Sequence, residues 1–389
     1  MIDVLLVSNG YGEAAIAGYV ARAIREIAPD AHVEHFPLVG QMDPTAELPS
    51  VGPQAQMPSG GLVAYWNLRN WARDVRAGLF GLTLRQFAYL SRQHRRSVIV
   101  AVGDVYCAAA CLMFARRPTV FVATAKSELV AAHSRLERAI ARRAALVFTR
   151  DAATAATLAH SGVRAQYAGN AMMDGVAVPG AALPTRADAL HIGVLPGSRS
   201  DAPDNAARAI ARLRLVAQKL APRSVQALIS LAPTVVPADL LAACEHEGAN
   251  LEVSDEPGIA ARGTAGPLDV LVVAGRFADL LRASDIVLGQ AGTGNEQAAG
   301  LGKPVIASSP AGDPGRVGWY RMRQQRLLGD ALAVLPDDDA AFADGVAALL
   351  ADRSRMEAMA TQGRARMGGS GGSVAIAQAV LALASEKSA

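Results

Sequence analysis

The stretch DIVLGQAGTGNEQAAGLGKPVI, residues 285–306, gives the clearest structural pattern in the chain. Residues 285–289 predict a short buried strand, and residues 290–295 predict a Gly-rich turn. Residues 296–300 begin a helix, and residues 305–308 predict the next strand. A strand that runs through a Gly-rich turn into a helix N-terminus directs several unpaired N–H groups at one point. A phosphate is stabilised there by those donors and by the helix dipole.

Glu296 stands in the first turn of that helix. A carboxylate there suits the helix dipole but repels a neighbouring phosphate. The conflict is resolved if Glu296 accepts hydrogen bonds from a sugar hydroxyl while the turn binds phosphates, which suits a nucleoside diphosphate. A helix start with a favourable glutamate and no ligand is the alternative, and the pattern alone leaves both open.

Length and composition limit the classes of protein to consider. The chain has 389 residues, 51% hydrophobic and 19% charged, which is enough for two to three domains. A net charge of +3 is too small to indicate nucleic-acid binding. The three cysteines, Cys107, Cys111 and Cys244, show neither metal-ligand spacing nor a disulfide framework, which indicates a reducing compartment. We expect a cytoplasmic protein without a metal or other cofactor. Residues 1–7 predict a strand rather than a signal peptide, and no apolar run reaches the ~18–20 residues of a membrane span.

The first half of the chain alternates apolar strand patterns with helical ones, which predicts a parallel, doubly wound sheet. Ligands of such sheets bind beyond the carboxyl ends of the strands. The candidate residues at those ends are Asn9, Gly10, Gly12, Glu13, Asp104, Lys126 and Asn170. A second strand–helix series follows a Gly-, Pro- and Ala-rich linker at residues 175–189. Two such halves predict an α/β protein with two domains facing across a ligand-binding cleft.

Residues 62–96 interleave aromatic side chains with arginines. The segment holds two of the three tryptophans, and seven arginines against one acidic residue. Such a pattern is typical of amphipathic helices that lie on an anionic membrane surface. Ordinary surface helices with core aromatic residues are the alternative.

An ordered set of motifs resembles the lipid-A-disaccharide synthase family, and most closely the group called lipid-A-disaccharide synthase-related. The two main motifs are LPGSR at residues 195–199 and AGTGNEQAAGLGKPV at residues 291–305. The others are SNGYGE (8–13), PLVG (37–40), PSGG (58–61), VGDV (102–105), AKS (125–127), GNAMMDG (169–175), QQRLLG (324–329) and RMG (366–368). Their order and spacing cover nearly the whole chain.

The resemblance implies a GT-B glycosyltransferase of two Rossmann-like domains that works without a metal. Such an enzyme of lipid A biosynthesis moves a sugar from a UDP-sugar, a glucosamine derivative, to a lipid-linked acceptor at the inner face of the cytoplasmic membrane. It implies an acceptor domain at residues 1–174, a nucleotide-sugar domain at residues 190–372, and a last helix, residues 373–389, that returns to the first domain. A homodimer stays open, because the family synthase can exchange C-terminal segments.

The resemblance also implies roles for individual residues. The residues expected to bind the nucleotide sugar are Gly197, Ser198, Arg199, Gly275, Arg276, Phe277, Gly292, Thr293, Gly294, Asn295, Glu296 and Gln297. Arg199 would neutralise the diphosphate and Glu296 would bind the ribose. Asp104 is the candidate general base and Glu13 the next candidate, while a helix N-cap is the alternative role of Asp104. A UDP-N-acetylglucosamine 2-epimerase and a non-catalytic nucleotide-sugar-binding protein remain the rival functions.

Overall fold

The computed structural model describes residues 2–39, 48–55, 76, 78–308, 318 and 320–386. The chain divides into two compact units, one of Met1–Gly175 with Gly369–Ala389 and one of Val176–Gly368. Each unit has a sheet with a parallel, helix-flanked core. This confirms the predicted α/β class with two Rossmann-like domains.

The first unit has a six-stranded parallel sheet in the order β2-β1-β3-β4-β5-β6. Its strands are β1 (Asp3–Ser8), β2 (His32–Pro37), β3 (Val98–Gly103), β4 (Thr119–Ala123), β5 (Leu146–Thr149) and β6 (Ala165–Gln166). Its helices are α1 (Tyr11–Ile27), α2 (Leu79–Leu90), α3 (Val105–Ala110) continued by a π-helical turn (Cys111–Ala115), α4 (Arg135–Ala141), α5 (Ala152–His160) and α6 (Ala171–Asp174). The last helix of the chain also belongs to this unit.

The central strands read as continuous apolar runs because helices cover both faces of the sheet. Val4, Leu5, Leu6 and Val7 of β1 are fully buried, and β1 pairs in parallel with both β2 and β3. All carboxyl ends of the paired strands therefore lie at one edge of this sheet.

The second unit has an eight-stranded sheet in the order β14-β13-β12-β7-β8-β11-β10-β9. Its strands are β7 (Leu190–Leu195), β8 (Val225–Leu231), β9 (Asn250–Val253), β10 (Ile259–Ala265), β11 (Leu268–Ala274), β12 (Ile286–Gly289), β13 (Val305–Ala307) and β14 (Leu332–Val334). Its helices are α7 (Ala202–Leu220), α8 (Pro237–His246), α9 (Phe277–Ala283), α10 (Thr293–Gly300), α11 (Gln325–Leu328), α12 (Asp339–Ala351) and α13 (Arg353–Met367), with a π-helical turn at Tyr320–Gln324 and a 3₁₀ turn at Gly329–Ala331. Six of the eight strands are parallel.

The other two strands depart from the expected parallel series. β10 pairs antiparallel with β11, and β9 pairs antiparallel with β10, so the sheet ends in an antiparallel extension. Glu252 and Arg262 face each other across the β9–β10 pair and both are exposed. A half-exposed antiparallel strand carries polar residues that interrupt the apolar pattern, so the sequence gives a weak signal there.

The last helix, α14 (Gly372–Ser385), packs on α1 and α6 in the first unit. Asp174, the last residue of α6, accepts hydrogen bonds from the N–H groups of Gly371 and Ser373 at 2.5 and 2.7 Å. The stretch Arg353–Ser385 is long and apolar enough to cross a membrane by length and composition. It consists of two helices, α13 and α14, which end and begin on either side of residues 368–371, and α14 buries its apolar face on protein.

The glycines of residues 363–372 predict a break between two helices that begins at Gly363, and that start is wrong. Gly363 lies inside α13, which continues to Met367. A Cβ atom at Gly363 would overlap the carbonyl oxygen of Ala299, so this glycine allows α13 to approach α10 closely.

Candidate functional site

In the second unit, three loops meet at the carboxyl ends of parallel strands. They follow β7 (residues 196–201), β11 (residues 275–276) and β12 (residues 290–292). The N–H of Gln290 donates to the carbonyl of Leu195 at 2.8 Å, which joins the first loop to the third. A Cβ atom at Gly294 would lie 3.2 Å from Leu195 Cδ1 and 3.4 Å from Phe277 Cζ, so the second loop borders the same place. The structure therefore brings together the loops that the sequence analysis assigned to the nucleotide sugar.

The Gly-rich turn leads into α10, which begins at Thr293 with Gly292 as its N-cap, three residues before the predicted helix start at Glu296. Thr293 is exposed, while Gly292, Gly294 and Glu296 are half-buried. Glu296 is the acidic residue of the first helical turn, as predicted. The first N–H groups of a helix have no partner within the helix, so this turn presents donors beside a carboxylate.

Asn295 and Gln297 differ from their neighbours because both are buried. Asn295 is fully buried and donates from Nδ2 to the carbonyl of Gly289 at 3.3 Å and to Gln324 Oε1 at 3.0 Å. Gln324 was not among the expected site residues, although it stands in the QQRLLG motif. Asn295 and Gln324 therefore contact the buried side of the turn rather than its open side.

The loop after β7 carries an exposed cation. Gly197 has a φ of +108°, a conformation that favours glycine, and it is followed by the exposed Ser198 and Arg199. The carbonyl of Ser198 accepts a hydrogen bond from Thr234 Oγ1 at 2.7 Å, which fixes the loop from outside. An exposed guanidinium on a loop that is joined to the Gly-rich turn suits an anionic ligand.

The guanidinium of Arg276 has hydrogen-bond partners within its own unit. Its Nε donates to Asp279 Oδ2 at 3.0 Å, and its Nη2 donates to the carbonyls of Ala181 and Ala182. Its guanidinium therefore holds the segment at residues 180–182 onto this unit. Gly275 is exposed and Phe277 is half-buried beside it, so these two remain at the open side of the loop.

In the first unit, a second polar group lies at the ends of β1 and β3. Asn9 Oδ1 accepts from the N–H of Asp104 at 3.4 Å. A Cβ atom at Gly103 would overlap Asn9 Oδ1 and lie 3.4 Å from Glu13 Cγ, and one at Gly10 would overlap the Glu13 carboxylate. The two glycines thus let Asn9 and Glu13 approach Asp104, with Gly12 half-buried beside them.

Asp104 is the N-cap of α3, with its Oδ1 accepting from the N–H of Cys107 at 3.0 Å. The capping role that the sequence left open is therefore occupied. The bond fixes the carboxylate and uses one of its two oxygens, so a second role for the other oxygen remains compatible with this geometry.

Two further candidate site residues, Lys126 and Asn170, bind other groups of the protein. Lys126 Nζ lies 3.0 and 2.8 Å from the two carboxylate oxygens of Glu137. Burial raises the pKa of Glu137, but the hydrogen bonds from Lys126 and Ser134 outweigh it and lower that pKa overall. Asn170 is buried and caps α6, while its N–H donates to the carbonyl of Gly369 at 2.8 Å.

Within the described ranges, no group of three or more His, Cys, Asp or Glu side chains is placed to hold a metal ion. Cys107 and Cys111 are fully buried, and hydrogen bonding between the thiols together with burial raises the pKa of Cys107 well above its ordinary value. These thiols therefore belong to the core.

Comparisons with known proteins show which fold this architecture has. No family model and no curated protein matches the chain. A putative UDP-N-acetylglucosamine 2-epimerase from Listeria monocytogenes is similar in structure, with a TM-score of 0.61 at 14% identity over 99% of this chain and 97% of that one. The chain has the GT-B fold. UDP-GlcNAc 2-epimerase from Neisseria meningitidis bound to UDP-GlcNAc matches with a TM-score of 0.58, 13% identity and 98% and 100% coverage. The spinosyn rhamnosyltransferase SpnG complexed with thymidine diphosphate matches with a TM-score of 0.58 and 16% identity, over 98% of this chain and 100% of that one.

Proposed function

We propose that this chain is a glycosyltransferase that moves a sugar from a UDP-sugar, a glucosamine derivative, to a lipid-linked acceptor. The observation that carries the proposal is the convergence of the Arg199 loop, the Phe277 loop and the Gly-rich turn with Glu296 in one unit. These groups match the parts of a UDP-sugar: a cation and N–H donors for the diphosphate, a carboxylate for the ribose and an apolar edge for the base.

The leaving group of the proposed reaction is UDP. As the bond between the anomeric carbon and the diphosphate oxygen breaks, negative charge grows on that oxygen. Arg199 and the N–H groups of Gly292, Thr293 and Gly294 would stabilise this charge, the role that a metal ion has in other transferases.

The acceptor of the proposed reaction supplies the oxygen atom of the new glycosidic bond. Its hydroxyl oxygen attacks the anomeric carbon and loses its proton to a base, for which Asp104 is the first candidate and Glu13 the second. The helix cap holds the Asp104 carboxylate in one orientation, and Asn9 accepts a hydrogen bond from the backbone N–H of the same residue, which suits a positioned base.

A UDP-N-acetylglucosamine 2-epimerase is the second candidate function. It is favoured by the similarity of fold to the enzymes from Listeria monocytogenes and Neisseria meningitidis, the latter with bound UDP-GlcNAc. A non-catalytic nucleotide-sugar-binding protein is the third reading.

A UDP-release assay with UDP-N-acetylglucosamine and acylated UDP-glucosamine separates the three functions. The transferase releases UDP only when a lipid-linked sugar acceptor is added. The epimerase yields an altered nucleotide sugar without an acceptor, and the binding protein gives no turnover with a measurable dissociation constant. Absence of both UDP binding and turnover would refute the nucleotide-sugar site altogether.

A lipid-linked acceptor implies contact with a membrane, and we propose that the first unit makes it from the cytoplasmic side. Residues 62–75 and 77 of the predicted segment lie outside the described residues. In the described remainder, Phe80 and Leu84 follow each other by one turn of α2 and are 61% and 69% exposed. Arg76, Arg85, Arg92 and Arg95 are exposed as well. Exposed apolar side chains beside arginines suit the interface of an anionic bilayer, where each basic residue contributes ~1 kcal/mol.

Co-sedimentation with vesicles tests the membrane proposal. We expect binding to vesicles containing anionic phosphatidylglycerol at low salt and release at high salt. Phe80→Ser with Leu84→Ser should reduce this binding, whereas Leu136→Ser, at a residue 70% exposed on α4, should not. Equal recovery of all three proteins with neutral and anionic vesicles would contradict the proposal.

A further inference from the structure

Two buried amide side chains, those of Gln324 and Asn295, donate hydrogen bonds to carbonyl groups on the buried side of the Gly-rich turn. Gln324, which is 3% exposed, donates from Nε2 to the carbonyls of Ala291 and Gly292, both at 3.1 Å. Its Oε1 accepts from Asn295 Nδ2 at 3.0 Å, and the same Nδ2 donates to the carbonyl of Gly289 at 3.3 Å. Two side chains 29 positions apart in the chain thus bind three carbonyls of one turn.

The network determines the orientation of each amide. Gln324 Oε1 meets an N–H donor, and its Nε2 meets two carbonyl acceptors. A flipped amide would place an oxygen against two carbonyl oxygens and a nitrogen against Asn295 Nδ2. A Cβ atom at residue 289 would overlap Asn295 Oδ1, so the Asn295 amide fits in this position only because residue 289 is a glycine.

The direction of these carbonyls determines the direction of the N–H groups. In a planar trans peptide, the C=O of one residue and the N–H of the next point in opposite directions. Because Gln324 holds the carbonyls of Ala291 and Gly292 inward, the N–H groups of Gly292 and Thr293 point outward. These two donors stand at the N-terminus of α10, next to the half-buried Glu296.

We infer that Gln324 and Asn295 are positioning residues for the diphosphate of a nucleotide ligand, which they never touch. This inference rests on the nucleotide-sugar site proposed above. A flexible Gly-rich turn can rotate its peptide planes at little cost, and the buried amides fix the rotation that presents two donors. Donors that are already oriented lose less entropy on binding, so the network raises affinity for the diphosphate.

The inference predicts a selective loss of affinity. Gln324→Met keeps a long unbranched side chain but removes the donors and the acceptor. We expect it to weaken binding of UDP about ten-fold or more, the effect of losing two oriented hydrogen bonds. Binding of uridine, which lacks the diphosphate, should change by less than about two-fold. Calorimetry gives the dissociation constant of UDP, and competition against it gives that of uridine.

Gln325→Met is the matched control, because it changes the adjacent, half-buried glutamine of the same segment. It should leave both constants close to those of the wild type. Unchanged UDP affinity in Gln324→Met, or an equal loss for UDP and uridine, would overturn the inference. A wild-type protein that binds neither ligand would instead refute the nucleotide site itself.

A second measurement needs no substitution and covers the case in which Gln324→Met does not fold. With ¹⁵N-labelled glycine and threonine, the amide signals of Gly292 and Thr293 should shift on addition of UDP and much less with uridine. Signals that do not respond to UDP, or that respond equally to both ligands, would show that these N–H groups do not face the diphosphate.

Discussion

Lowering the pH from 7.5 to 5 should destabilise the first unit by about 2 kcal/mol through one buried histidine. His35 lies on β2 with no exposed surface, and its Nε2 is 2.8 Å from Ser8 Oγ at the end of β1. Burial lowers the pKa of His35 from 6.5 to about 4, since the charged imidazolium loses its hydration.

The sign and size of this change in the free energy of unfolding follow from proton linkage. In the unfolded chain, His35 has the ordinary pKa of 6.5 and binds a proton more readily than in the folded protein. The stabilisation is therefore complete above pH 6.5 and is lost as the pH falls through about 4. A pKa difference of about 2.5 corresponds to about 3 kcal/mol in total, of which about 2 kcal/mol is lost by pH 5.

Urea unfolding followed by circular dichroism at pH 7.5 and 5 measures this contribution. His35→Gln retains an amide that can bond to Ser8 but does not titrate, so its loss of stability on acidification should be smaller than that of the wild type by about 2 kcal/mol. His160→Gln, at an exposed position on α5, should behave as the wild type. Equal pH dependence in His35→Gln and the wild type, or an imidazole midpoint near 6.5 in the folded protein by NMR, would refute the reasoning.

Three further substitutions test the site and the packing. Glu296→Ala should weaken UDP binding by about 1.5–3 kcal/mol, the range for a hydrogen bond to a charged group, and unchanged affinity in calorimetry would remove this residue from the site. Asp104→Asn should lower turnover at least about 10²-fold with UDP affinity retained, and a normal rate would move the base to Glu13. Gly363→Ala should lower the melting temperature because its Cβ meets the Ala299 carbonyl, while Gly18→Ala, where a Cβ meets no atom within 4 Å, should stabilise by up to about 1 kcal/mol. Equal melting temperatures for the two glycine variants would contradict this account of α13.

The parallel strands were predictable because burial on both faces leaves a continuous apolar run in the local sequence. A run such as VLLV in β1 is buried on both faces and contains no polar residue, so burial is visible in the sequence. The antiparallel strands β9 and β10 could not be found in this way, because Glu252 and Arg262 lie on an open face and interrupt the apolar pattern. The stop at Gly363 was predicted wrongly, because a glycine that permits close helix packing looks the same as one that ends a helix.

The geometry of the candidate site was predictable where it depends on the backbone or on a short motif, and less so where a residue contacts a distant partner. Glu296 lies in the first turn of a helix, as its pattern predicted, although that helix begins at Thr293 rather than at Glu296. The pairing of Lys126 with Glu137 depends on where α4 begins, and the contact of Asn295 with Gln324 depends on two segments that meet only in the folded unit. No local pattern contains such information, although the QQRLLG motif did mark the segment.

The return of α14 to the first unit has a consequence for the order of events during synthesis. α14 packs on α1 and α6 of the first unit, so that unit lacks its final helix while residues 176–368 leave the ribosome. At about 5–20 residues per second, that wait lasts roughly ten to forty seconds. Throughout it, the apolar surface of α1 that α14 later covers is available to a chaperone, and a ribosome stalled within the second unit would present the same surface.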